Sequence, residues 1–175
     1  MYYEKKILLL SHCILNPYSK ARGLVSREKI EASRRILEEL MKDTDIGIVQ
    51  LPCPELLYVG LGRDPASRSF YDNPDFKKIC REIAEHAVKL VKEYEKEGIK
   101  TIAYIGIEGS PSCGVKWTHF KREETEKGMG IFTEILLEVM GDAGIQIELL
   151  GLPENKKYGD VEELLEKLRS SGIEL

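Results

Sequence analysis

Short continuous apolar runs alternate with longer stretches of helical periodicity along the whole chain. Residues 5–12 read as a first strand, buried on both faces because Ile7-Leu-Leu-Leu10 has no polar alternation. After a loop over 14–25, Ser26 is placed to cap a helix with Ile30, Leu37, Leu40 and Met41 on one face. Residues 45–51 form a second strand, and 54–72 read as a long connection bearing glycine and proline. Asn73 and Pro74 open the longest helix, whose apolar stripe runs through Phe76, Cys80, Ala84 and Val91 to Tyr94 before Gly98 stops it. Thr101–Ile107 is a third strand, followed by a polar segment over 115–128. A third helix carries Ile131, Phe132, Ile135, Leu136, Val139 and Met140, and residues 145–150 make a fourth strand. Asp160 starts the last helix, with Glu163 in capping-box position and Leu164, Leu165 and Leu168 turned inward. The alternation β-α-β-α-β-α-β-α predicts an α/β fold. We expect a Rossmann-like three-layer sandwich with a mainly parallel sheet of about four strands and helices on both faces. At 175 residues the chain reads as a single domain over 1–175.

Composition narrows the partners. A net charge of −4 gives no electrostatic drive toward a phosphate backbone, so no nucleic-acid partner is expected. No apolar run approaches the ~18 residues of a membrane span, and the four apolar residues after Met1-Tyr-Tyr-Glu-Lys-Lys6 are too few for a secretory leader. The expected compartment is the cytoplasm, where thiols stay reduced. Four cysteines there point to metal, catalysis or packing before disulfides.

Three of the four sit just past predicted strands: Ser11-His-Cys13, Leu51-Pro-Cys53-Pro-Glu55 and Gly109-Ser-Pro-Ser-Cys113-Gly114. Parallel strands bring their carboxyl ends to one edge, where open α/β sheets bind ligands. Packing alone does not require cysteine inside Pro-Cys-Pro or Ser-Cys-Gly turns. Cys80 differs, because its place on the apolar stripe of the longest helix makes it core. Three thiolates with one vacant position suit a metal centre that performs chemistry, and soft sulfur selects iron–sulfur clusters or zinc.

Ser11-His-Cys13, Cys53-Pro-Glu55 with the following Gly60-Leu-Gly-Arg63, and Ser110-Pro-Ser-Cys113-Gly114 together resemble the DUF523 family, whose characterised type is a thiouracil desulfidase. The resemblance covers roughly residues 6–150. It implies that Cys13, Cys53 and Cys113 hold a [4Fe-4S] cluster whose open iron takes the sulfur of a small thiolated substrate. It also implies that Glu55 and Ser110 assist a non-redox exchange of sulfur for oxygen, with water as nucleophile. The chain departs from the family pattern at Ile14-Leu-Asn16-Pro-Tyr-Ser-Lys-Ala-Arg22-Gly23 and at Leu56-Leu-Tyr-Val59, segments expected to shape the substrate pocket.

Other residues stay open. His12 neighbours a proposed ligand; His119, in the polar segment, reads as a surface residue before a pocket one; His86 falls on the solvent side of its helix. Arg22 and Arg63 lie on functional-looking loops, and Gly128-Met-Gly130 suits either an anion site at a helix N-terminus or a tight entry turn. Two further classes remain: a non-catalytic iron–sulfur or zinc redox module, and a cysteine-nucleophile hydrolase with a histidine base.

Overall fold

The computed structural model describes residues 4–121 and 124–175. The chain runs β1 (Lys6–Ser11), α1 (His12–Leu15), α2 (Arg27–Leu40), β2 (Ile46–Leu51), α3 (Pro54–Val59), α4 (Arg68–Tyr71), α5 (Pro74–Lys96) and β3 (Lys100–Ile107). It continues through β4 (Trp117–Lys121), β5 (Glu124–Lys127), α6 (Ile131–Asp142), β6 (Glu148–Leu152) and α7 (Val161–Ser170). Four strands form one parallel sheet in the order β2-β1-β3-β6, the α/β architecture the alternation predicts.

Period-two alternation divides β1 between two cores. Ile7 and Leu9 join Tyr104 beneath α5 and α6, whereas Leu8 and Leu10 join Ala103 and Ile105 beneath α2 and α7. Burial on both faces explains the unbroken apolar runs. The inner face of α2 is carried by Ile36 and Leu40; Met41, one residue past the helix, is 71% exposed.

Helix ends follow a repeated local rule. Glu97-Gly98-Ile99, Ala143-Gly144-Ile145 and Ser171-Gly172-Ile173 each close a helix with a left-handed glycine. In each, the isoleucine N–H reaches back to the carbonyl five residues earlier: Tyr94, Met140 and Leu168 at 2.9, 2.9 and 3.1 Å. This accounts for the displaced fourth strand. Ile145 is apolar because it seals the end of α6, and pairing with β3 starts only at Glu148.

Three segments read as irregular are partly regular. Residues 14–25 contain the end of α1 and a 3-10 turn at Pro17–Ser19. The 54–72 connection holds α3 and α4, and Trp117–Lys121 pairs antiparallel with Glu124–Lys127. At α7, Asp160 caps through the Glu162 N–H at 2.9 Å rather than through a capping box with Glu163.

Candidate functional site

The carboxyl ends of β1, β2 and β3 carry the three cysteines. Because β1 connects to β2 on one side and lies against β3 on the other, the strand order reverses beside β1, where open sheets form a crevice. Cys13 sits in the helical turn of α1 rather than at a strand tip. Cys53 is the N-cap residue of α3, with Pro54 at the first helical position.

Cys113 is held by the loop after β3. Ser110 Oγ accepts from the Cys113 N–H at 3.0 Å, and Cys113 returns its carbonyl to the Ile107 N–H at 3.1 Å. The N–H groups of Gly130, Ile131 and Thr133 bond to the carbonyls of Gly114, Pro111 and Ser112 at 2.9, 3.1 and 3.2 Å. The N-terminus of α6 is therefore used by the loop, and Gly128-Met-Gly130 is a tight entry turn rather than an anion site. A Cβ at Gly130 would lie 2.3 Å from the Ser112 carbonyl carbon. Gly130→Ala is expected to cost ~3 kcal/mol, seen as a lower urea midpoint at unchanged slope.

All three thiols are free, and all three line one cavity of about 290 Å³ together with Glu55, Arg63, Ser110 and Ser112. Cys80 is fully buried behind Cys113 in the α5–α6 core and does not line the cavity. Burial raises each thiol's pKa: Cys13 to about 11 and Cys53 to about 12, with Cys113 also pushed up. Among the described residues no histidine side chain is hydrogen-bonded to any of the three thiols, which weighs against a cysteine hydrolase with a histidine base. Among the described residues, no three His, Cys, Asp or Glu side chains are placed to hold one metal ion.

Glu55 is buried, and donors surround its carboxylate. Ser112 Oγ donates to Oε1 at 2.6 Å, while Oε2 accepts from Arg63 Nε at 3.1 Å and Tyr71 OH at 3.2 Å. Ser110 reaches Glu55 only through Ser112, its Oγ lying 3.4 Å from Ser112 Oγ. Ser112 and Tyr71, which sequence reasoning did not single out, thus complete the constellation. Ser112 was legible in the Ser-Pro-Ser-Cys motif; Tyr71 had no local signal.

The cavity is also lined by Lys20, Lys29, His119, Glu154, Asn155 and Tyr158. His119 lines the cavity from β4 instead of facing solvent, and burial followed by the Lys157 charge lowers its pKa. His12 does not line the cavity; its carbonyl accepts from Gln50 at 2.8 Å. His86 is exposed, and Arg22 pairs with Asp64 at 2.7 Å on the surface. The pair Lys20–Glu154 is deeply buried, with Nζ 2.6 Å from Oε1 but outside hydrogen-bonding alignment. Among the described residues, no helix is long and apolar enough to cross a membrane.

Fold and site together define an α/β protein with a thiol-lined crevice at the carboxyl edge of a parallel sheet. The chain belongs to the family described as "Putative 2-thiouracil desulfurase", which matches residues 5–128. It is 33% identical over 165 residues to uncharacterized protein MJ0003 of Methanocaldococcus jannaschii, covering 94% of this chain and 97% of that one. Its fold is similar to that of a solved [4Fe-4S]-dependent thiouracil desulfidase, TudS. The TM-score is 0.53 and the identity 22%, over 95% of this chain and 99% of the other.

Proposed function

We propose that this chain, acting in the cytoplasm as one unit over 1–175, is a desulfidase that removes sulfur from a small thiolated compound bearing a thiouracil-like thiocarbonyl. The observation that carries the reading is the convergence of Cys13, Cys53 and Cys113 on one cavity with a buried carboxylate. Membership in the family favours this enzyme over a non-catalytic iron–sulfur or zinc module.

The donor set fits a [4Fe-4S] cluster better than a single ion. In a cuboidal cluster each sulfur meets a different iron, so the three thiolates need not converge on one point. Cys13, Cys53 and Cys113 would hold it, leaving one iron open. When bound, such a cluster supplies a soft Lewis acid for the substrate sulfur.

The chain's own groups then handle water and protons. Glu55 Oε1 accepts from Ser112, and a water beside the carboxylate can pass its proton there as it attacks the thiocarbonyl carbon. Arg63 and Tyr71 fix the orientation of Oε2. The Ser110 hydroxyl accepts from the Cys113 N–H and keeps its own proton for Ser112 or the substrate.

Anaerobic reconstitution with iron and sulfide tests the reading. Broad absorbance near ~400 nm, with about four irons and four labile sulfides per chain, is expected, together with hydrosulfide release from 2-thiouracil or a related thiocarbonyl. A colourless protein that takes up one zinc, or no metal, would overturn it.

A further inference from the structure

The charges that line the cavity are matched, with one exception. Lys20 pairs with Glu154 at 2.6 Å, and Arg63 pairs with Glu55 at 3.1 Å. Glu108 accepts from the backbone N–H groups of Lys116 and Trp117 at 3.0 and 2.9 Å. His119 brings no charge, because burial and then the Lys157 charge lower its pKa and leave it neutral at neutral pH. The exception is Lys29. It lines the cavity and is half-buried. Among the described residues no carboxylate stands within ion-pair distance of its ammonium.

The position of Lys29 in its helix adds a second cost. It is the third residue of α2, inside the first turn, where the helix dipole opposes a cation. Burial pulls its pKa down, against the attraction of Glu154 and aided by the repulsion of Lys20. Neither the helix nor the fold gains from a cation there, and local conflicts of this kind fall at functional sites. Depth in the cavity is also informative. Cys53, Cys113 and Glu55 are buried, whereas Leu24 and Lys29 keep exposure and so belong to the mouth.

We propose that Lys29 reads a carboxylate on the substrate, which is then a carboxylated thiocarbonyl held with its sulfur toward the thiols and its charge toward the mouth. The inference rests on the desulfidase reading and names its substrate class. One unpaired ammonium balances one negative charge. A phosphate calls on several donors at once. Here the Lys29 N–H is already taken by Ser26 Oγ at 3.3 Å, and Glu28 in the same turn repels a dianion.

The test compares 2-thiouracil with 2-thiouracil carrying a carboxylate on either of its two free ring carbons. Hydrosulfide release is followed on the anaerobically reconstituted full-length protein, and calorimetry measures binding of the matching carboxylated uracils. For at least one carboxylated compound kcat/KM is expected to exceed that for 2-thiouracil by about 10- to 100-fold, the value of a charged contact. Lys29→Met should bring that ratio close to one, chiefly through KM, and weaken binding of the carboxylated uracil by a similar factor. Lys29→Arg should restore most of both. Lys29→Met strands no partner, so its unfolding midpoint and iron count should match the wild type. The wild-type ratio tests the inference without any variant. Wild-type protein that prefers 2-thiouracil to both carboxylated compounds would overturn the inference and leave the desulfidase reading standing. So would a ratio untouched by Lys29→Met, or better turnover of a phosphorylated thiouridine. An iron-loaded chain that releases hydrosulfide from none of these compounds overturns both, and the uncharged compound tells the two failures apart.

Discussion

Replacement of Cys13, Cys53 or Cys113 by serine, one at a time, is expected to abolish retention of a four-iron cluster and all turnover with it. The same test on Cys80→Ala should leave the iron count unchanged. Serine keeps the size of the side chain but replaces a soft thiolate by a hard, weakly acidic hydroxyl, which iron–sulfur clusters disfavour. The contrast with Cys80 is the informative part. Cys80 belongs to the same apolar cluster as Cys113 and would look equivalent in a simple census of buried thiols. It lies behind the loop rather than on the cavity wall, so its loss removes packing and no ligand. Iron loss from Cys80→Ala equal to that from Cys113→Ser would mean that the cluster sits deeper than the cavity.

The second large effect is expected at Glu55. Glu55→Gln should retain iron and lose turnover by about 10²-fold or more, the range set by removal of a positioned proton acceptor. It carries a structural cost as well. The amide presents an NH2 to a site built of three donors, Arg63, Tyr71 and Ser112, so the Ser112 hydroxyl has to give up its donation and turn to accept. That penalty is ~1–3 kcal/mol and is measurable as a lower unfolding midpoint. Ser112→Ala separates the two contributions, because it removes one donor and leaves the carboxylate intact. It leaves Oε1 one hydrogen bond short, so it should show a comparable stability cost while keeping more of the turnover than Glu55→Gln. Undiminished turnover in Glu55→Gln, with iron content held constant, would take Glu55 out of the mechanism.

The layout of the sheet was legible because β1 and β3 are buried on both faces and their apolar runs are therefore uninterrupted. Three cysteines at strand ends were legible for the same reason: a parallel sheet places those ends together. What failed was local. Ile145 looked like strand because the sealing of a helix end also calls for an apolar residue. Trp117–Lys121 lacked a strand signal because β4 pairs only with β5, outside the main sheet. The remainder of the cavity lining was the least visible part. Lys20, Glu154, Asn155 and Tyr158 come from segments distant in sequence, and a buried lysine is not distinguished from a solvated one by its neighbours.

The origin of the cavity lining along the chain bears on how the protein can diversify. The three thiols, Glu55 and Ser110 all fall within residues 13–113, inside the span that matches the family. Glu154, Asn155 and Tyr158 lie after β6, beyond it. Most of the cavity lining, the proposed reaction machinery included, thus comes from the matched span, and three lining residues come from a separate stretch of the chain. Substitution after residue 152 can remodel which molecule is admitted while every thiol stays in place. Because Glu154 is held by buried Lys20, a change at 154 requires a matching change at 20, whereas Asn155 is free of that constraint.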